Sequence, residues 1–121
     1  MKTFRRFQRK EVIEDDALRG AIRRAGRGVV DADLGGGLIK QRVARKGQGR
    51  SGGFRTIIAF RTGMRAVFLH GFAKSHKENI ADDELAALRQ IGGNLLRADE
   101  EELERMIADD RLTELTYDEE D

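Results

Sequence analysis

Residues 42–60 read RVARKGQGRSGGFRTIIAF, a basic, glycine-rich loop that runs directly into a stretch of β-forming residues. From Phe54 to Arg61 the side chains alternate, with Arg55, Ile57, Ala59 and Arg61 on one face and Phe54, Thr56, Ile58 and Phe60 on the other. Gly47-x-Gly49-x-x-Gly52 formally matches the dinucleotide-binding fingerprint. That mechanism requires a helix after the loop, so that pyrophosphate meets the helix N-terminus. A strand follows here, which excludes a doubly wound nucleotide fold. A protein-kinase glycine loop does lie between strands, but the strand lysine, HRD-type loop and DFG that accompany it are missing, and the chain is too short.

Outward from this strand, Thr62-Gly63 suggests a tight hairpin into a strand over 64–72. On the other side, the glycines at 35–37 mark a turn, and Leu38 to Arg45 mixes Ile39 and Val43 with Lys40 and Arg42 in a strand-like pattern. Three strands in a meander are expected for the middle of the chain. Phe4 and Phe7 predict a short amphipathic helix at the basic start. A second helix is expected to be capped by Asp15, with Leu18, Ala21, Ile22 and Ala25 inward, and to end at Gly26 and Gly28. From Asn79 the period changes to about 3.6. Asp82 is expected to cap a helix carrying Leu85, Leu88, Ile91, Leu95 and Leu96, weakened by Gly92 and Gly93. Asp99 and Glu102 have capping-box spacing and open a helix expected to bury Leu103, Met106 and Ile107. Leu112 to Tyr117 is expected to add a short strand before a fraying acidic end. The fold class is α+β, in one domain over 1–121: a helical opening at 1–30, an antiparallel sheet core at 38–74 and an acidic helical part at 80–121.

The 121 residues suffice for one core but not for two. No apolar run approaches the roughly 20 residues that span a bilayer, and the N-terminus lacks a signal-peptide core, so a cytoplasmic protein without membrane contact is expected. Cysteine is absent, which excludes thiolate catalysis and cysteine-based zinc sites. The net charge of +1 conceals a division. Residues 1–80 carry 19 Lys/Arg against 7 Asp/Glu, while residues 81–121 carry 4 against 15. The basic part points to a polyanionic partner, and the acidic end to solubility or to covering a basic surface.

Glycines 47, 49, 52 and 53 let backbone N–H groups approach an anion, and Arg42, Arg45, Lys46, Arg50 and Arg55 surround that backbone with cations. A solvated hairpin tip would show the same charges. Period-two alternation puts Ala66, Phe68, His70, Phe72 and Lys74 on one strand face, with His76 and Lys77 in the loop beyond. A lone histidine on such a face is more often structural than catalytic. No HExxH or carboxylate-rich histidine set is present, so no metal and no cofactor are expected.

LGGGLIKQRVARKGQGRSGGFRTIIAF, followed by FLHGFAKSHKENI and DDELAAL, resembles the RelE/HigB-type toxins of bacterial type II toxin–antitoxin pairs, in the branch with an RxGxGKSGG-like loop. The resemblance runs from about Asp31 to Leu96. It implies N-terminal helices packed on one side of a small antiparallel sheet. It also implies a ribosome-dependent, metal-independent mRNA endoribonuclease, neutralised by a cognate antitoxin that is a small helix-turn-helix DNA-binding protein. A tyrosine used by some relatives near the last strand has no clear counterpart, since Tyr117 lies far downstream. Cleavage by a 2′-hydroxyl needs a base, an acid for the leaving oxygen and stabilisation of phosphorane charge. Arg55 and Arg50 are the candidates for a phosphate clamp, Lys46 for the base, and Lys74 or His70 for the acid, with base and acid interchangeable. Arg42, Arg45, Arg61 and Lys77 are candidates for RNA binding. Two other readings remain open at this stage: a ParE-like toxin that blocks a protein target such as gyrase without cutting RNA, and a non-catalytic nucleic-acid-binding module.

Overall fold

A computed structural model describes residues 2–45, 49–61, 65–73 and 81–115. Within them the elements run α1 (Lys2–Glu11), α2 (Asp15–Gly26), β1 (Ala32–Gly35), β2 (Leu38–Arg45), β3 (Gly49–Arg61), β4 (Arg65–Ala73), α3 (Asp82–Arg97) and α4 (Glu100–Ala108). The strands form one antiparallel sheet in the order β1-β2-β3-β4. The architecture is α+β, with α1 and α2 on one face of the sheet and α3 on the other.

The sheet has one strand more than the sequence pattern suggests. β1 is a short edge strand whose ADLG alternates over only four residues, too few to mark a strand, so only the turn after it was legible. Gly36 and Gly37 make that turn with φ of +65° and +86°, the mirror-image geometry that favours glycine in two-residue hairpins. β3 is also longer than expected and begins at Gly49, inside the glycine loop, because Arg45 pairs with Gly49. Backbone pairing to β2 extends the strand through residues of low β-propensity. The β2–β3 connection at 46–48 and the β3–β4 connection at 62–64 lie outside the described residues.

Phe54 and Ile58 of β3 face the first pair of helices and pack with Phe4, Leu18, Ala21 and Ala25. Phe4 stacks on Phe68 at 5.0 Å between ring centroids, and Phe7 meets Phe54 edge-on at 5.5 Å. Ile57 and Ala59, on the opposite face, pack with Leu38, Leu69, Leu95 and Leu96. Fully burying one such aliphatic or aromatic side chain stabilises by about 1.5–3 kcal/mol, so these two clusters hold the helices to the sheet. Among the described residues three buried polar side chains find hydrogen-bond partners, Thr56 among them by donating to Gln41 O. Gln41, 1% exposed, donates to Ala21 O and Val29 O and accepts from Asp31 N, joining β2 to the end of α2. Gln8 donates to Ile13 O and to Asp15 Oδ1, joining α1 to α2.

Asp15 therefore serves a different purpose from the cap the spacing suggested. Glu14 occupies the N-cap position of α2 without a side-chain capping bond, and Asp15 holds Gln8 instead. Ala81, rather than Asp82, precedes α3. In both helices the first-turn carboxylates still complement the helix dipole. Asp99 does cap α4, accepting from Glu102 N at 2.8 Å. α4 buries none of its residues fully: Leu103 and Met106 are half-buried and Ile107 is exposed. Residues 112–115 form no strand, and Tyr117 lies outside the described residues. Leu112 and Leu115 instead pack irregularly, one against each core cluster. No described helix is long and apolar enough to cross a membrane.

The turn from α1 to α2 is strained. Val12 has φ +55° and is 76% exposed, while the bonds Ile13 N to Gln8 O and Val12 N to Arg9 O close a turn that normally ends in glycine. The left-handed region costs an L-residue roughly 1–2 kcal/mol. Val12→Gly is expected to raise stability by about 1 kcal/mol, measured by thermal melting; a lower melting temperature would show that Val12 makes a contact that outweighs its strain.

Candidate functional site

The β2–β3–β4 register decides which side chains can meet. Arg42 pairs with Arg55, and Arg55 with Phe72; in the next row on the same face Lys40 pairs with Ile57, and Ile57 with His70. Directly paired side chains begin about 5 Å apart. Two short rows thus bring Lys40, Arg42, Arg55, His70 and Phe72 onto one half of the sheet face.

His70 reaches this face only because β4 contains a bulge. Ile58 pairs with Phe68 and Ile57 with His70, which leaves Leu69 as the extra residue. Simple alternation would have kept Ala66 and Phe68 on the same side as His70 and Phe72. The bulge separates them: Phe68 and Ala66 pack towards α1 and α2, whereas Leu69 packs with Ile57 on the α3 side. His70 and Phe72 then lie together, with ring centroids 5.8 Å apart.

α3 covers only the other half of this face. Its Arg89 donates to Leu34 O at the β1 edge, and the Nη1 of Arg65 on β4 donates to Leu95 O and Ala98 O at the C-terminal end of α3, at 2.6 and 2.7 Å. The helix therefore crosses the sheet from edge to edge, over Leu38, Ala59 and Leu69. No described helix lies over Arg42 and Arg55.

Arg55 is 8% exposed, and its Nη1 is buried without a hydrogen-bond partner among the described residues. A buried guanidinium left in this state is costly, because water has been removed and among the described residues no carboxylate replaces it. Arg42 is about half exposed and has Asp31 beside it, with Nε 3.3 Å from Oδ2. Its Nε is also buried without an aligned hydrogen bond, so the contact with Asp31 is one of charge rather than of directed bonding. The Arg42 carbonyl accepts from Arg24, which ties this end of β2 to α2. Taken together, the described part of the site is a cationic half-face with one buried, unneutralised guanidinium, an imidazole and an aromatic ring. That combination suits an oxyanion joined to a ring or base. Among the described residues no group of His, Asp and Glu could hold a metal ion.

Of the residues singled out by sequence, Arg42, Arg55 and His70 are brought together. Arg61 is not: it lies six residues from Arg55, about 20 Å along the strand, exposed, and lining a groove of about 670 Å³ between α1, α2 and the segment after α4. Lys46, Lys74, Lys77 and the side chains of Arg45 and Arg50 lie outside the described residues. Lys40 and Phe72 were not singled out. Lys40 is two residues from Arg42 on the same strand, a period-two signal that could have found it; Phe72 needed the bulge. Among the described residues the acidic α4 makes one ion pair with the sheet, Glu100 to Arg65 at 3.8 Å, at the end away from Arg55.

No curated protein and no solved structure matches the chain. Residues 1–115 match a family described as the RelE toxin of the RelE/RelB toxin–antitoxin system. With that match spanning both helical ends as well as the sheet, the chain belongs to the RelE toxin family, and its partner is a cognate antitoxin.

Proposed function

We propose that this toxin is a metal-independent mRNA endoribonuclease that acts on the ribosome, with the half-face around Arg55 as its phosphate site. The observation that carries this reading is the buried Arg55 guanidinium, whose Nη1 has no partner among the described residues. A phosphodiester oxygen supplies the missing acceptor, and guanidinium geometry suits two oxygens of one phosphate. Arg50 joins Arg55 in the clamp. Lys46 takes the 2′-hydroxyl proton, and Lys74 or His70 protonates the departing 5′-oxygen. Attack of the 2′-oxygen on phosphorus and departure of the 5′-oxygen yield a cyclic phosphate and a free 5′-hydroxyl. Arg42, Arg45 and Lys77 hold the flanking phosphates, and Lys40 joins them. Arg61, beside the distant groove, binds a more remote part of the strand. The antitoxin is a small helix-turn-helix DNA-binding protein encoded beside the toxin, and the pair works in the cytoplasm.

The test uses purified protein, ribosomes and an mRNA. Wild type is expected to cut, and on a substrate cut without ribosomes EDTA is expected to leave cutting intact, while Arg55→Ala and Lys46→Ala each lose about 10²-fold or more, the usual magnitude for removing one group that stabilises transition-state charge. Unchanged cutting in both variants would remove the site. Intact mRNA together with inhibited DNA supercoiling would replace the nuclease reading with a protein-target one.

A further inference from the structure

We propose that the solvent face of α1, formed by Arg6, Arg9 and Lys10, is a second cationic surface that binds the phosphate backbone of double-helical RNA. It is separate from the Arg55 half-face. α1 has the sequence KTFRRFQRKE, with no acidic residue before Glu11. Phe4 and Gln8 are buried and Phe7 is half-buried against Phe54, which places α1 on the sheet face opposite Arg55. Arg6, Arg9 and Lys10 are left exposed at spacings of three and four, the neighbouring positions of one helix face, about 5–6 Å apart.

These three cations differ from several others in the fold. Arg5 has Asp15, Arg19 has Asp16, Arg42 has Asp31 and Arg65 has Glu100. The side chains of Arg6, Arg9 and Lys10 make no ion pair or hydrogen bond among the described residues. Three adjacent cations without an internal counter-charge repel one another, and an external polyanion relieves that repulsion.

The chemistry of the face selects among polyanions. An anionic membrane surface needs an amphipathic helix free to insert its apolar side, but the apolar side of α1 is used up in the core. An acidic protein interface needs a buried apolar anchor, and the nearest exposed apolar residue is the small Val12, past the helix end. Single-stranded RNA is gripped by exposed aromatic rings that stack its bases; Phe4 and Phe7 point inward. Double-helical RNA is recognised through its shape and backbone, and a purely cationic helix face is sufficient for that. The surface does not depend on the nuclease reading.

The test measures binding of the full chain to a hairpin RNA over a salt series by fluorescence anisotropy, with folding checked by circular dichroism. The triple variant Arg6→Gln, Arg9→Gln, Lys10→Gln is expected to bind at least about 10-fold more weakly at low salt. The slope of log affinity against log salt should fall by about two to three, close to one for each lost phosphate contact. A control with the same change in net charge, Arg97→Gln, Arg105→Gln, Arg111→Gln, should retain the slope. If the triple variant melts early, Arg6→Gln and Arg9→Gln made singly should each lower the slope by about one. Wild-type affinity and slope in folded α1 variants, or an equal loss in the control, would overturn the proposal. So would binding to phosphatidylserine vesicles that the α1 variants lose while their RNA binding stays intact. Failure of mRNA cutting leaves this result unaffected, because the readout is binding to an RNA duplex.

Discussion

Arg55→Met is expected to raise the stability of the protein and, under the proposed nuclease function, to cut mRNA cleavage by about 10²-fold or more. Burial strips the guanidinium of water, and Nη1 finds no replacement acceptor among the described residues. Removing a buried charge in favour of an apolar side chain of similar length is often stabilising, and a gain of about 1–3 kcal/mol is expected here. Methionine is flexible enough to occupy the same channel between Arg42 and Phe72 without a new cavity. The melting temperature should rise by several degrees. Activity should fall by about 10²-fold or more, because the same unfilled hydrogen-bonding capacity that costs stability is what a phosphate oxygen would use. Arg55→Lys should fall between wild type and Arg55→Met in activity, since it keeps the charge but loses the two-pronged geometry. A destabilised Arg55→Met would mean that the guanidinium is already satisfied in the folded protein. An active one would mean that the phosphate lies elsewhere.

Gly92→Ala and Gly93→Ala are expected to change stability in opposite directions, although the two glycines are adjacent in α3. Helix propensity alone favours alanine at both by up to about 1 kcal/mol. Gly93 is half-exposed, and the closest atom to a new Cβ would be Nη1 of Arg97 at 3.1 Å, the tip of a flexible side chain that can move. Gly93→Ala should therefore stabilise by about 0.5–1 kcal/mol. Gly92 is buried at the crossing of α3 over the sheet, where a Cβ would lie 2.8 Å from Leu38 Cδ1 and 3.2 Å from Ala59 Cβ. Both neighbours are fully buried, and the Ala59 Cβ cannot move without its strand. Overpacking of this kind costs about 1–3 kcal/mol and exceeds the propensity gain. Denaturant melts of the two variants decide the matter: equal stabilisation in both would show that α3 is not seated on the sheet at Gly92.

The Gly92 contrast also shows why one sequence expectation failed. From propensity, Gly92 and Gly93 appeared as a weakness in the helix, because propensity describes a helix alone in water. Against the sheet, Gly92 is the point of closest approach. Asp15 was misassigned for a similar reason: its type suits a cap, but Gln8 of the preceding helix claims its carboxylate. In the C-terminal part, Leu103, Met106 and Ile107 have helical spacing, yet no described element lies where it would bury all three. Spacing establishes that a face exists. It does not supply the surface that face needs.

By itself the sequence determined the class of the fold and the sign of the site. Period-two alternation after a glycine loop dictates a strand where a nucleotide fold requires a helix, and Arg42, Arg45, Lys46, Arg50 and Arg55 make the segment beside it strongly basic. Those are local properties, carried by residues adjacent in the chain. The composition of the site was decided by tertiary structure. Cross-strand register set Arg55 between Arg42 and Phe72, and the bulge at Leu69 turned His70 onto their face. Register and bulges are settled by the partner strand and by the need to bury Phe68 on one side and Leu69 on the other. No single strand contains that information, which is why Arg55 was legible as a candidate but its setting, a buried guanidinium with a vacant donor, was not.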